Sequence, residues 1–177
     1  MKYFAVLFLF VLISIPVIAQ SSDSTSTTAK DTLTKDILSG KPMLLGEVNR
    51  EAFADTSFSW WFESVHDMYE PDSTLIPQIA EALKGAKIKI VMGTWCSDSR
   101  REVPRFFKIL DEVNYPSDSV QIFTVDRGLH GFKGDVKPLD IEKVPEFIFY
   151  RDGKELGRIV ESPKETLEKD MLKILKG

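Results

Sequence analysis

The residue of this sequence best suited to covalent chemistry is Cys96, which is its single cysteine. A thiolate is a nucleophile, and its reactivity depends on its surroundings. Cys96 follows Trp95 where a β-rich apolar run ends and a helical pattern begins. A thiol at a helix N-terminus faces unpaired N–H groups and the positive end of the helix dipole, and both favour the thiolate. We therefore expect Cys96 to be exposed and nucleophilic, and the alternative is a buried, inert cysteine.

The residues after Cys96 set its electrostatic surroundings and limit its chemistry. Arg100 and Arg101 add positive charge near the sulfur, whereas Asp98 opposes them. Ser99 lies three residues after Cys96. Its hydroxyl either hydrogen-bonds the Cys96 thiolate and caps the helix, or has no chemical role. Because a hydroxyl cannot attack a mixed disulfide, the chain alone cannot run a two-cysteine redox cycle.

Apolar spacing predicts the elements that position Cys96. Short β-rich runs predict strands over residues 88–92, 120–125, 146–150 and 156–160. Helical apolar stripes predict helices over residues 58–69, 73–84, 97–113 and 163–175. Ser162, Pro163 and Glu165 fit the N-cap, first and third positions of the last helix. Since the first strand–helix–strand unit must be parallel and the later hairpin is antiparallel, we expect an α/β fold with a mixed sheet and helices on both faces.

Four features in the right order resemble the thioredoxin superfamily. They are Trp-Cys-Ser-Asp-Ser at residues 95–99, Pro104 eight residues after Cys96, Val144-Pro145 before the third strand, and the hairpin pair Asp152-Gly153. The resemblance spans residues 87–175. It implies a thioredoxin-like fold, in which α-helices flank a central mixed β-sheet.

The resemblance also implies how a substrate would bind. Trp95 would flank the bound segment beside the thiol. Pro145 would follow a cis peptide bond, and Val144 before it would offer its backbone N–H and C=O to an extended substrate segment. The alternative for Pro145 is a trans proline at the start of a strand.

The sequence departs from the superfamily at two positions. Ser99 stands where most members carry a second, resolving cysteine. Ile90 stands where many members carry a buried acid, so proton transfer to and from Cys96 would need another group or water.

The first residues are typical of a secretion signal. Lys2 is followed by an apolar run over residues 4–18, and small residues end at Ala19. We expect a signal peptide at 1–19, a flexible Ser/Thr-rich linker at 20–41, and a thioredoxin-like domain with an N-terminal extension at 42–177. The alternative, a membrane anchor, conflicts with the short run, so we expect an exported protein without a membrane anchor after cleavage.

Charge and histidine placement exclude several functions. The formal net charge is −4, and no run of Lys and Arg is longer than Arg100-Arg101, which argues against nucleic acid as a partner. His66 and His130 have no ligand partner at metal spacing, so we expect neither a metal nor another cofactor.

The leading hypothesis is an exported thiol–disulfide oxidoreductase or isomerase. Its single nucleophilic cysteine, Cys96, would form mixed disulfides with cysteine-containing protein substrates. An external thiol reductant, or a second substrate cysteine, would then release the enzyme. The alternative is a redox-degenerate binding module that holds extended or cysteine-containing peptides without turnover, and a third possibility is a structural partner in an envelope complex.

Overall fold

A computed structural model of the chain describes residues 33–131 and 136–177. The strands are β1 (Leu33–Lys35), β2 (Pro42–Leu44), β3 (Gly46–Val48), β4 (Ala86–Met92), β5 (Val120–Thr124), β6 (Glu146–Arg151) and β7 (Lys154–Val160). The α-helices are α1 (Ser59–Met68), α2 (Ile76–Ala82), α3 (Ser97–Glu112) and α4 (Leu167–Lys176). None of the helices in these two ranges combines the length and apolar character that crossing a bilayer requires. The predicted signal peptide and residues 20–32 of the predicted linker lie outside the described residues.

Five strands form the main sheet, in the order β3-β5-β4-β6-β7. β4 and β5 are parallel and connected through α3, whereas each other neighbouring pair is antiparallel. The mixed sheet and its four predicted strands are therefore confirmed. β3 was not predicted, because three residues are too few to show an alternating pattern.

The main apolar core lies on the sheet face that carries Ile88, Ile90, Phe147 and Phe149, and all four helices contribute side chains to it. Phe106 of α3 stacks on Phe147 with ring centroids 4.4 Å apart. The Phe106 and Phe149 rings form an edge-to-face pair with centroids 6.0 Å apart. Stacked and edge-on aromatic pairs of this kind add to the free energy gained by burying their surface. They therefore stabilise the packing of α3 against β6.

A smaller apolar cluster covers the opposite face of the sheet. Val91 and Ile148 meet Val136 and Val144 there, together with side chains of β5. The chain between β5 and β6 supplies this cover, with one 3₁₀ turn at Lys137–Leu139. No described α-helix joins this cluster, so the expectation of helices on both faces needs correction. The physical reason is that the connecting segment is rich in glycine and lacks a helical apolar period.

The β6–β7 hairpin turns at Asp152 and Gly153, as predicted. Both residues have positive φ, 51° and 76°. A two-residue hairpin turn with positive φ at both positions matches the twist of its strands, and Asp-Gly is among the pairs that adopt it most readily.

The start of α4 differs from its prediction. The N-cap is Thr166, whose side chain accepts a hydrogen bond from the Lys169 N–H at 3.2 Å, and the helix begins at Leu167. Ser162 instead accepts a hydrogen bond from Arg101. The Arg101 side chain lies 61 positions before Ser162, so this tertiary contact draws the predicted cap away from the helix. Asp170 of α4 also accepts a hydrogen bond from the Lys164 N–H, which keeps the preceding segment outside the helix.

The end of the predicted linker is part of the folded structure. Residues of β1 pair with β2 in an antiparallel hairpin, with Leu33 opposite Leu44. The Asp36 N–H closes the loop on the Lys41 carbonyl at 2.9 Å. The linker boundary at residue 41 is therefore too late for the described residues. Composition could not show this, because β1 and β2 have three residues each. Arg127, which binds Asp36 in the loop between them, lies 91 residues further along the chain.

Two adjacent tryptophans provide a matched test of the core. Trp61 is 4% exposed and packs edge-on against Phe53 and Phe62, whereas Trp60 is 65% exposed. We expect Trp61→Ala to lower the free energy of unfolding by about 3–5 kcal/mol, because it removes a large buried ring. Trp60→Ala should change it by no more than about 0.5 kcal/mol. Urea denaturation of both variants measures this, and equal losses would contradict the packing described here.

Candidate functional site

Cys96 is the N-cap residue of α3, as its position in the sequence predicts. It has an extended backbone, with φ −84° and ψ 130°. Its N–H donates to the Gly93 carbonyl at 2.9 Å, and its carbonyl accepts from the Arg100 N–H at 3.1 Å. The residue is half-buried. A tight turn after β4 therefore delivers the sulfur to the amino end of a helix of 16 residues, where the first N–H groups have no intrahelical acceptor.

The Cys96 thiol meets the backbone just before β6. Its Sγ donates a hydrogen bond to the Val144 carbonyl at 3.3 Å. The bond between Val144 and Pro145 is cis, in agreement with the resemblance. The Pro145 carbonyl accepts from the Glu161 N–H at 2.7 Å, whereas no described residue accepts from the Val144 N–H. The structure thus brings together Cys96, Val144 and Pro145, which lie far apart in the sequence.

Trp95 is held in place from three sides. Its indole Nε1 donates to the Val125 carbonyl at 2.8 Å. The guanidinium carbon of Arg127 lies 4.8 Å from the centroid of its ring. A Cβ atom at Gly93 would lie 2.6 Å from the indole Nε1, so residue 93 has to be glycine for the ring to lie where it does. Trp95 therefore forms a fixed, half-buried wall beside Cys96.

Ser99 has a structural role in this arrangement. It is fully buried, and its hydroxyl accepts a hydrogen bond from the Gly93 N–H at 3.2 Å. In the described part of the chain no hydrogen bond joins Ser99 to Cys96. The possibility that its hydroxyl hydrogen-bonds the thiol is therefore not met. Instead Ser99 satisfies a buried donor in the turn that positions the thiol.

An ion pair anchors the β1–β2 hairpin next to Trp95. Asp36 is buried and accepts two hydrogen bonds from Arg127, each at 2.9 Å. The Arg127 guanidinium holds the pKa of the Asp36 carboxyl well below its usual range, and the pKa of Arg127 is raised in return. Sequence reasoning missed both residues, because their separation of 91 positions leaves no local pattern.

Arg100 bends back over the turn that precedes Cys96. Its Nε donates to the Thr94 carbonyl at 2.5 Å, and its guanidinium carbon lies 5.8 Å from the centroid of the Trp61 ring. Burial lowers the pKa of Arg100, while the nearby Cys96 sulfur acts in the opposite direction. The Thr94 side chain in turn accepts the Leu44 N–H at 3.2 Å, which attaches β2 to the same turn.

The two histidines lie in other environments. His66 lies between Asp67 and Asp111, at 2.9 and 2.8 Å, and so connects α1 to α3. His130 is exposed and lies 3.4 Å from Asp126. Residues 33–131 and 136–177 contain no group of three or more His, Cys, Asp or Glu placed to hold a metal ion.

The strand order and the position of Cys96 define the fold. The central strand β4 leads through Cys96 into the crossover helix α3, returns as the parallel β5, and pairs on its other side with β6, which Pro145 precedes. The fold is thioredoxin-like. The β6–β7 hairpin and the C-terminal helix α4 complete this thioredoxin-like domain, while β1, β2 and β3 come from its N-terminal extension.

Comparisons with known proteins give weak similarities. No family model matches the chain. The thioredoxin-like protein R548 of Acanthamoeba polyphaga mimivirus is 26% identical over 94 residues, which are 53% of this chain and 66% of that protein. The match therefore covers slightly less than two thirds of that relative.

Solved structures similar to this thioredoxin-like domain share little sequence with it. A Pseudomonas aeruginosa protein of unknown function has a TM-score of 0.44 and 14% identity, with 67% of this chain and 81% of that chain covered. Fasciola hepatica thioredoxin has a TM-score of 0.33 and 22% identity, covering 49% and 77%. Oxidised thioredoxin O2 of Arabidopsis thaliana has a TM-score of 0.33 and 20% identity, covering 48% and 76%.

The structural role of Ser99 can be tested by mutation. Ser99→Ala leaves the buried Gly93 N–H without an acceptor, so we expect the free energy of unfolding to fall by about 1–3 kcal/mol. Ser97→Ala, at an exposed position of the same helical turn, should cost much less. Chemical denaturation of both variants gives the comparison. A loss from Ser99→Ala no larger than that from Ser97→Ala would show that the hydrogen bond contributes little.

The Asp36–Arg127 ion pair predicts a specific response of the hairpin to acid. Because the folded-state pKa of Asp36 is depressed, its stabilising effect is complete above the unfolded pKa of about 3.9 and is lost as the pH falls through the lower folded value. Asp36→Asn removes the charge and should speed hydrogen exchange at the Gly40 N–H, which donates to the Asp36 carbonyl. Asp118→Asn, at an exposed site, is the control. Unchanged exchange in Asp36→Asn above pH 5 would contradict an anchoring role for the pair.

Proposed function

We propose that this protein is an exported thiol–disulfide oxidoreductase or isomerase that acts through Cys96 alone. The observation that carries the proposal is the Cys96 Sγ at the N-cap of α3, 3.3 Å from the Val144 carbonyl. Unpaired helix N–H groups on one side favour the thiolate, and the backbone of Val144, before the cis Pro145, lies on the other. An inert cysteine needs neither feature.

The chemistry begins with attack of the Cys96 thiolate on one sulfur of a substrate disulfide. The substrate S–S bond breaks, a mixed disulfide forms, and the second substrate sulfur leaves as a thiolate with the electron pair. A second substrate cysteine can then attack the substrate sulfur of the mixed disulfide, which forms a new disulfide and returns Cys96 as a thiolate. That route rearranges disulfides without net electron flow. If an external thiol attacks instead, the substrate is released reduced and the external thiol is the reductant.

The backbone at Val144 supports binding of an extended substrate segment. Its carbonyl accepts the Cys96 thiol in this structure, and its N–H has no acceptor among the described residues. Once Cys96 is a thiolate it no longer donates, so both backbone groups of Val144 become free to pair with a peptide. The fixed Trp95 ring would bound the substrate on the other side.

The competing function is a binding module that holds cysteine-containing or extended peptides without turnover. Two observations favour it. Ser99 cannot resolve a mixed disulfide and is already used by the Gly93 N–H. Ile90 is fully buried in the main core, at the position where the resemblance would place an acid for proton transfer.

Export is part of the proposal because of residues 1–19. Their positive start, apolar stretch and small residues before Gln20 are those of a cleavable signal peptide. An oxidising compartment would supply disulfide-bonded substrates to a protein that has one thiol.

The decisive experiment compares the mature protein with Cys96→Ser and Ser99→Cys on a scrambled disulfide substrate in a glutathione buffer. We expect the parent to form mixed disulfides and restore substrate activity, while Cys96→Ser shows only the uncatalysed rate. Ser99→Cys should gain an internal disulfide with Cys96, as the resemblance implies. Its mixed disulfides should decay at least about tenfold faster, because an intramolecular thiol acts at a high effective concentration.

Gel-resolved mixed disulfides and recovered substrate activity separate the candidate functions. Capture of substrate by the parent without recovery of activity would favour the binding module. Equal behaviour of the parent and Cys96→Ser in both measurements would eliminate the proposal. If Ser99→Cys forms no internal disulfide under oxidising conditions, positions 96 and 99 are not related as the resemblance implies.

A further inference from the structure

Two guanidinium groups lie against the two residues that immediately precede Cys96. Arg100 reaches Thr94 through a hydrogen bond of 2.5 Å from its Nε to the carbonyl. Arg127 lies over the Trp95 ring at 4.8 Å. The charge of each guanidinium interacts with the Cys96 sulfur. Two guanidinium groups therefore lie near the thiol, although the whole chain carries a formal charge of −4.

The two groups differ in how their charges are balanced. Arg127 is neutralised by Asp36 through two hydrogen bonds. Arg101, the next cation along α3, is paired with Asp98 at 2.7 Å and with Glu102 at 2.6 Å. For Arg100, by contrast, no carboxylate of the described ranges lies within ion-pair distance. Arg100 is thus the cation whose charge remains uncompensated next to the thiol.

The environment of Arg100 strengthens the electrostatic interactions of its guanidinium charge. Its side chain is half-buried, and burial lowers its pKa, so its surroundings are less polar than water. Charges interact more strongly in such surroundings than in bulk solvent. The Arg100 Nε donates to the Thr94 carbonyl, and no described side chain accepts from the two terminal NH₂ groups of Arg100. Those NH₂ groups present donors in the planar arrangement that a carboxylate fits.

We propose that Arg100 makes the Cys96 site selective for disulfides and thiols that carry a carboxylate close to the reacting sulfur. This specificity rests on the proposed function. A negatively charged partner is repelled by the Cys96 thiolate as the two sulfurs approach, and the leaving thiolate adds further negative charge. Arg100 offsets both repulsions and its NH₂ groups donate to the partner's carboxylate, so anionic partners react faster than neutral ones. Cationic partners lose the advantage that attraction to the thiolate alone would give them. The exchange itself is unchanged, since the Cys96 sulfur bonds to one partner sulfur and the other leaves as a thiolate.

Three small disulfides with identical two-carbon arms test this selectivity. They are 3,3′-dithiodipropionate (anionic), bis(2-hydroxyethyl) disulfide (neutral) and cystamine (cationic). Mass spectrometry of quenched samples gives the rate at which each adds to Cys96 of the full mature chain. Each rate is divided by the rate of the same disulfide with free N-acetylcysteamine, a neutral thiol that is not released by any of the three probes, and this cancels differences in intrinsic reactivity. We expect the normalised rate of the anionic probe to exceed that of the neutral probe by about three- to tenfold at low salt, and to fall toward it at high salt.

Arg100→Gln should remove this preference, and Arg100→Lys should retain part of it, because the charge remains while the planar donor pair is lost. Arg105→Gln is the matched control. Arg105 lies on the same helix, but its guanidinium is near Glu102 and the Tyr69 ring. Should Arg100→Gln fail to fold, as judged by circular dichroism, Arg100→Lys and the salt dependence of the parent still decide the question.

The outcomes distinguish this inference from the function on which it rests. Adducts with all three probes at equal normalised rates would overturn the selectivity and leave Cys96 reactive. An equal loss of preference in Arg105→Gln would overturn the assignment to Arg100. If none of the probes adds to Cys96 in the folded protein, the proposed function fails, and the selectivity fails with it.

Discussion

The antiparallel pairing of β4 with β6 is the constraint on which the site depends. In an antiparallel pair the carboxyl end of one strand lies beside the amino end of the other. The register sets Val91 opposite Glu146, so the chain that leaves β4 and the chain that enters β6 meet at the same end of the sheet. Cys96 and Val144 are 48 residues apart, yet this pairing brings them within 3.3 Å. A change of register by one residue would exchange the side chains that one of the two strands presents to the two apolar clusters, so the core and the site are specified together.

The turn between β4 and α3 is stabilised by polar groups that are buried and satisfied. Ser99 accepts the Gly93 N–H, and Thr94 accepts the Leu44 N–H. Thr124, at the end of the neighbouring strand β5, donates its hydroxyl hydrogen to the Gly46 carbonyl at 2.9 Å. Because an unsatisfied buried polar group is costly, each of these bonds restricts where the backbone near Cys96 can lie. Two of them come from the N-terminal extension, which is therefore part of the scaffold that holds the site.

A second contribution of the extension is electrostatic. Asp36 in the β1–β2 loop neutralises Arg127 and holds it over Trp95. Without Asp36, the turn before Cys96 would carry two uncompensated guanidinium groups. With Asp36 present, Arg127 is neutralised, and the net charge of the turn before Cys96 comes from Arg100. The Arg100 side chain starts in the first turn of α3 and reaches back over Thr94. The extension thus tunes the charge around a thiol that it does not itself contact through any described hydrogen bond.

Much of this protein was determined by local sequence. The apolar runs predicted all four long strands, the Trp-Cys pair marked the strand–helix junction, and Asp152-Gly153 predicted the hairpin, because each depends on side-chain periodicity or backbone preference over a few residues. Tertiary structure alone decided the rest. The sequence pointed to Ser162 as the cap of α4, but Ser162 binds Arg101, 61 residues earlier in the chain, and Thr166 caps the helix. The role of Ser99, the Asp36–Arg127 pair and the short strands of the extension depend on partners distant in the chain, and no spacing rule relates residues that only folding brings together.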